Sequence, residues 1–282
     1  MINKTLKSFK GMRCLAQTKP QNNRPLVNYV WVNKQKSTIN PSDPVCAIEM
    51  ANIQRAVENA NKYPKADFQI WIDKNLLDDY SVFCLESFIK DRARFENIRL
   101  QNLQNIPDYA DDRYFVPMNF PDESNRTGPR NVYSRADYAR ILALDYSMKK
   151  WPERTKIIYS DMDCPDILLS KALPVMKRYG LAVYDFGEKV VSNGYIGISA
   201  HRKEIKGQFN KLKLDARTEA HKDHSGYRAF ETFLEKLGMP IDQWHTKIGL
   251  PFLLPPVGWE IGPIMYAPPK RAEFLKRHMK DA

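Results

Sequence analysis

The sequence predicts an α/β fold built on a mostly parallel sheet. Two observations predict it. Short runs rich in β-branched and aromatic residues alternate with helix-length segments through the first two hundred positions. The hydrophobic fraction, 43% of 282 residues with 11% aromatic, is that of a globular chain able to bury a substantial core.

Taken in order, residues 1–25 read as loosely structured. LVNYVWVNK, residues 26–34, is the first strand. A helix follows, capped by Ser42, patterned by Ile48, Ile53 and Val57, and stopped at Pro64. ADFQIWID (66–73) is a strand, DYSVFCLESFIKDRARF (79–95) a helix and NIRLQNL (97–103) a short strand. Residues 114–131 form a polar loop rich in Pro, Asn and Gly. SRADYARILALDYSMKKW (134–151) is a helix leading into the strand TKIIYSDMD (155–163). LLSKALPVMKRYG (168–180) is helical, LAVYDF (181–186) and VVSNGYIGIS (190–199) are strands, and SGYRAFETFLEKLGM (225–239) is a helix from its Ser to its Gly. The Pro-rich stretch 251–269 is irregular.

Several classes fall away. No run of eighteen apolar residues exists, so no transmembrane helix is expected. The basic N-terminus lacks the apolar region of a secretory signal, which predicts a cytosolic chain or one exported without such a signal. The four cysteines are scattered without a CxxC pair, which argues for reduced thiols over zinc or disulfides. Neither GxGxxG nor GxxxxGK[ST] occurs, so any bound phosphate is handled without a Gly-rich loop. The net charge of +11 favours anionic partners. Its densest segment, PPKRAEFLKRHMKDA at the C-terminus, suits a helix docked on the protein's own core or lying on an anionic membrane. No specific nucleic-acid motif is present.

The informative stretch is KIIYSDMDCPD, residues 156–166. In an α/β sheet, ligands sit at the carboxyl ends of the strands. Residues i and i+2 of a strand face one side, so Asp161 and Asp163 can converge there. Two such carboxylates repel unless a cation neutralises them, and a hard divalent ion, Mn²⁺ or Mg²⁺, does so with help from substrate phosphates. An acidic turn without ligand is the plainer alternative. Upstream, Asp137 and Arg140 share one helix face. Ser134 and Asp137 fit a capping box, which would put Arg140 near a helix N-terminus suited to phosphate.

The pieces NYVWVN, FQIWID, RADYARILAL, IIYSDMD and VVSNGYIGIS occur in an order that resembles the GT-A glycosyltransferases with a DXD motif. Among them it resembles the glucosylating domain of the large clostridial toxins and the yeast initiating mannosyltransferases. The resemblance covers roughly residues 26–200. It implies a Rossmann-like, nucleotide-sugar-binding GT-A domain, here residues 26–265, followed by a basic helix or tail at 266–282. It implies a Mn²⁺- or Mg²⁺-dependent hexosyltransferase acting with retention, with a UDP-sugar favoured over a GDP-sugar and a glycan or protein as acceptor. Bacterial surface-glycan synthesis or an effector role would suit such an enzyme. The implied roles are base stacking for Trp31, donor sugar or diphosphate contacts for Asp137 and Arg140, a pocket wall at Tyr159, sugar and metal contacts for Asp161, metal binding for Asp163, and a sugar-facing Asn193. A late loop commonly adds a metal or diphosphate contact, for which His245 and Glu260 are the candidates. The chain departs from the family where WPERTKIIYSD stands in place of a glycine pair before the acidic motif. A metal-dependent phosphotransferase or nuclease, or a non-catalytic binder of anionic surfaces, are the alternatives.

Overall fold

In a computed structural model of the chain, the described residues are 23–32, 44–112, 131–185, 191–222, 226–238 and 252–253. They form a seven-stranded sheet with helices on both faces, as expected. The strands are β1 (Leu26–Trp31), β2 (Asp67–Ile72), β3 (Ile98–Asn102), β4 (Lys156–Ser160), β5 (Leu181–Asp185), β6 (Val191–Ser199) and β7 (Phe252–Leu253). The helices are α1 (Pro44–Lys62), α2 (Asp79–Arg92), the single turn α3 (Pro107–Ala110), α4 (Asn131–Lys150), α5 (Leu169–Tyr179), α6 (Lys203–His221) and α7 (Tyr227–Lys236).

The sheet order is β3-β2-β1-β4-β6-β5-β7. β1 pairs in parallel with both β2 and β4, and β2 with β3. β6 runs antiparallel to both neighbours, β4 and β5. The chain therefore builds outward from β1 to β3, then returns to lay β4 on the other side of β1. That reversal makes the crevice beyond the carboxyl ends of β1 and β4 the switch point of the sheet, where α/β folds bind ligands.

Strand alternation sorts the core into two layers. Ile157 and Tyr159 join Trp71, Leu142, Phe209 and Phe230 on the face covered by α4, α6 and α7. Ile158 joins Tyr29, Phe68, Phe88 and Met176 on the face covered by α1, α2 and α5. Among the polar residues sealed inside is Asn28, which accepts from Trp71 Nε1 at 2.9 Å and Ser147 Oγ at 3.0 Å, and donates to the Ile158 carbonyl at 3.2 Å. With its partners made, its burial costs little. Trp71 is thus a core residue, as its strand suggests.

Three expectations are corrected. Helix α4 begins at Asn131, not Ser134, so Ser134 is not its cap. Its hydroxyl is buried without a partner among the described residues, and Arg140 lies more than two turns inside the helix. The end of the DMD strand is also moved: β4 stops at Ser160. The irregular C-terminal stretch contributes a two-residue strand, β7, paired in parallel with β5. Helix α6 is not foreseen at all. Its apolar residues Ile205, Phe209, Leu212, Ala216 and Ala220 are buried at helical spacing, but they are outnumbered by lysine and other polar neighbours. Cys84 and Cys164 are buried. Among the described residues no helix is long and apolar enough to cross a membrane.

Candidate active site

Asp161, Met162 and Asp163 form a tight turn just past β4, closed by the Cys164 N–H to the Asp161 carbonyl at 3.2 Å. The strand pairing expected of Asp161 and Asp163 belongs instead to Tyr159 and Asp161. They share a face, and the phenol donates a short hydrogen bond to Asp161 Oδ1. The main chain of Asp161 is held by its N–H to the Gly194 carbonyl at 2.7 Å.

Helix α4 brings Arg140 over this carboxylate. Every nitrogen of the guanidinium faces a protein oxygen. Nη1 donates at 3.0 Å to both the carbonyl and Oδ1 of Asn193. Nη2 lies 3.1 Å from Asp137 Oδ1 and 3.4 Å from Asp161 Oδ1, and Nε lies 3.4 Å from the Ala136 carbonyl. The guanidinium also stands over the Tyr159 ring, 4.8 Å from its centroid. Asn193 completes the group by donating to Asp137 Oδ1 at 3.1 Å.

The charges in this group are strongly coupled. Burial works against the Arg140 cation, but Asp161, Tyr159, Asp137 and Asp163 outweigh it and raise its pKa. Burial likewise raises the pKa of Asp161, against the pull of Arg140 and the Tyr159 hydroxyl, with Asp163 adding to the rise. The Asp161 side chain still keeps 31% of its surface exposed, against 11% for Asp137 and 9% for Arg140. Asp161 is the most exposed of these three.

Asp163 differs from its neighbours. Its Oδ1 is buried and has no hydrogen-bond partner among the described residues. A buried carboxylate oxygen left unpaired beside a second carboxylate is a costly arrangement for the protein alone. It is one that a hard cation relieves, and two carboxylates plus diphosphate oxygens and water are a common Mg²⁺ or Mn²⁺ ligand set. Asp161 and Asp163 therefore fit such an ion. Among the described residues no group of three or more His, Cys, Asp or Glu is gathered for a metal. His245 and Glu260, proposed for a late-loop contact, lie outside the described residues. The HKDH stretch holds further possible metal ligands, His221, Asp223 and His224; the last two also lie outside the described residues, and His221 pairs with Asp112 at 3.0 Å.

Residues that the sequence did not single out hold the turn from behind. Arg55 of α1 donates to the Asp163 carbonyl at 3.3 Å. Asn59 donates to the Cys164 carbonyl at 3.1 Å and accepts from the Ile167 N–H at 3.3 Å. Lys62 and Tyr63 both donate to Asp166 at 2.6 Å. Positions 55, 59 and 62 lie on one face of α1 and Tyr63 directly follows it, the only clue the sequence held.

Of the expected site, Asp137, Arg140, Tyr159, Asp161 and Asn193 come together, with Asp163 on the same turn. Trp31 does not join them. It ends β1 at the same edge of the sheet but packs on the other core layer, with its indole N–H buried and unpartnered among the described residues.

No family model matches the sequence, and no curated protein matches it. Solved structures do. The PaToxG glycosyltransferase is similar at 14% identity over 76% of this chain and 69% of that one, with a TM-score of 0.41. Mouse xyloside xylosyltransferase 1 is similar at 10% identity over 82% and 84%, with a TM-score of 0.43. A 4-diphosphocytidyl-2C-methyl-D-erythritol synthase from Anaerococcus prevotii is similar at 8% identity over 91% and 96%, with a TM-score of 0.40. At these values the choice of function falls to the side chains.

Proposed function

We propose that the protein is a metal-dependent glycosyltransferase of the GT-A type that moves a hexose from a nucleotide-sugar donor, a UDP-sugar before a GDP-sugar, to a glycan or protein acceptor. One observation supports this above the others. At the switch point of the sheet, a partly exposed Asp161 and an Asp163 whose buried Oδ1 has no hydrogen-bond partner among the described residues stand on one turn beside a buried arginine. Such a site has the means to hold a cation against an anionic ligand.

A bound Mn²⁺ or Mg²⁺ would neutralise charge gathering on the departing diphosphate. The residues do the rest. Asp161 and Asp163 hold the ion at the strand end. Tyr159 and Arg140 fix Asp161 in one rotamer, so the carboxylate is oriented before the ligand arrives. The Arg140 cation adds a fixed positive charge on the side where negative charge develops. In the transfer, the bond from sugar C1 to the diphosphate oxygen breaks and a bond from C1 to the acceptor oxygen forms. With retention, the acceptor proton passes to the leaving phosphate oxygen, so no separate protein base is needed.

The test is donor hydrolysis. UDP- and GDP-sugars are incubated with the protein and Mn²⁺ or EDTA, beside the Asp161→Ala/Asp163→Ala double variant. Metal-dependent nucleotide release from one donor, lost in the variant, supports the reading. No release, together with no calorimetric binding of UDP or GDP in the presence of Mn²⁺, would overturn it.

A further inference from the structure

Asp137 is equipped differently from Asp161, although both face Arg140. Its Oδ1 takes Asn193 Nδ2 at 3.1 Å and Arg140 Nη2 at 3.1 Å, and its Oδ2 takes the Gly226 N–H at 2.8 Å. Both oxygens are thus engaged by the protein, and the residue is 8% exposed. Gly226 is the residue immediately before α7, so the carboxylate lies at the positive end of that helix.

Gly226 has a steric reason to be glycine. A Cβ there would lie 2.8 Å from Asp137 Cβ and 3.5 Å from its Cγ, with no flexible chain end to yield. The approach that allows the 2.8 Å bond exists only without a side chain. Asn193 is matched to the same arrangement. Its amide nitrogen serves the acid while its amide oxygen serves the arginine. One residue of β6 and the start of α7 are thereby tied to one carboxylate of α4, and Arg140 is held between that carboxylate and Asp161.

We propose that Asp137 is a positioning residue and does not contact the donor: with Asn193 and the α7 N-terminus at Gly226 it forms a clasp that fixes Arg140, and through Arg140 the orientation of Asp161. This rests on the reading of the site as one for a nucleotide sugar. A clasp and a sugar ligand make opposite predictions. If Asp137 bound the sugar, its loss would weaken a nucleotide sugar and spare the bare nucleotide. If it positions Arg140, both weaken together, and Gly226→Ala reproduces the effect.

The experiment measures UDP and UDP-glucose binding in Mn²⁺ by calorimetry for the wild type, Asp137→Asn, Asn193→Ala and Gly226→Ala. Hydrogen exchange of the amides at residues 227–230 is followed in the same proteins without ligand. The expected result is a loss of about tenfold for both ligands in each variant, the size of one charged hydrogen bond, with exchange of the first α7 turn faster by about tenfold. Asp137→Asn that weakens UDP-glucose alone would overturn the clasp, as would unchanged exchange in α7. Wild-type protein that bound neither probe would sink the transferase reading instead. The exchange measurement would then still decide whether Asp137 holds α7.

Discussion

The guanidinium of Arg140 stands over the Tyr159 ring, 4.8 Å from its centroid, while the hydroxyl of that ring bonds Asp161, the acid that Arg140 also faces. One tyrosine thus touches both members of an ion pair. Removing only the hydroxyl separates its two functions. Tyr159→Phe keeps the ring under Arg140 and should cost about 1 kcal/mol of stability. It frees the Asp161 rotamer, so UDP binding in Mn²⁺ should weaken by roughly fivefold, since about 1 kcal/mol is that factor. Thermal melts and calorimetry read the two separately; a loss of stability without a change in binding would show that the hydroxyl does not orient Asp161.

Arg140→Lys should be far more damaging than its conserved charge suggests. An ammonium has three donors on one atom and cannot face Asn193, Asp137 and Asp161 at once, nor stack on Tyr159 in the same way. Buried acids would be left with poorer compensation, at a cost of about 3 kcal/mol. Denaturant unfolding would show it, and a stability equal to that of the wild type would mean that the cluster needs charge alone.

Asp163→Asn is expected to do the reverse. The wild-type oxygen makes no bond among the described residues and sits on a turn with another carboxylate. Removing its charge should leave stability unchanged or raise it by about 1 kcal/mol. The same change should abolish the EDTA-sensitive part of UDP binding. A lower melting temperature with intact metal-dependent binding would make Asp163 a structural residue of the turn.

How much of this was legible varies from residue to residue. The strand runs at 26, 67, 98 and 156 carry β-branched and aromatic residues dense enough to be seen, and DMD falls just beyond one of them. Asp137, Arg140, Tyr159, Asp161 and Asn193 were all candidates before their contacts were known. What the sequence hid is long-range or negative. Asn59 meets Cys164 across 105 positions, and no local pattern marks such a partner. Gly226 matters for the side chain it lacks. Helix α6 carries its apolar stripe beneath a polar surface, and α4 begins three residues before its apparent cap because tertiary packing overrides a local capping signal. The turn at 161–163 breaks strand alternation, so the parity that seemed to pair two aspartates pairs a tyrosine with one of them instead.

Asn59 provides a test of the anchor behind that turn. Its amide satisfies the Cys164 carbonyl and the Ile167 N–H, and the residue is 1% exposed. Asn59→Leu would leave two buried backbone groups without partners, at a cost of about 2–4 kcal/mol. Because the turn carries Asp163, nucleotide binding in Mn²⁺ should fall as well, even under conditions where the variant is fully folded. Binding that survived in folded Asn59→Leu would show that the turn keeps its shape without α1.

Asp166 ties the same turn to α1 by charge, and its titration gives a sign that can be checked. Burial alone would raise its pKa, but hydrogen bonds from Lys62, Tyr63 and the Leu168 N–H outweigh that and lower it. A carboxylate with a depressed folded pKa contributes stability above its unfolded value, about 4, and loses that contribution as pH falls through the folded value. Wild-type protein should therefore be more stable than Asp166→Asn at pH 7, by about 1–2 kcal/mol for the charge-assisted bonds lost. The difference should shrink steadily below about pH 4. Lys62 is more than half exposed, so added salt should reduce the Lys62 share of the gap while leaving that of Tyr63 and Leu168. Paired melts of the two proteins from pH 7 down to pH 3 would settle it, and a difference that stayed constant or grew toward acid would mean that Asp166 acts through shape and not through charge.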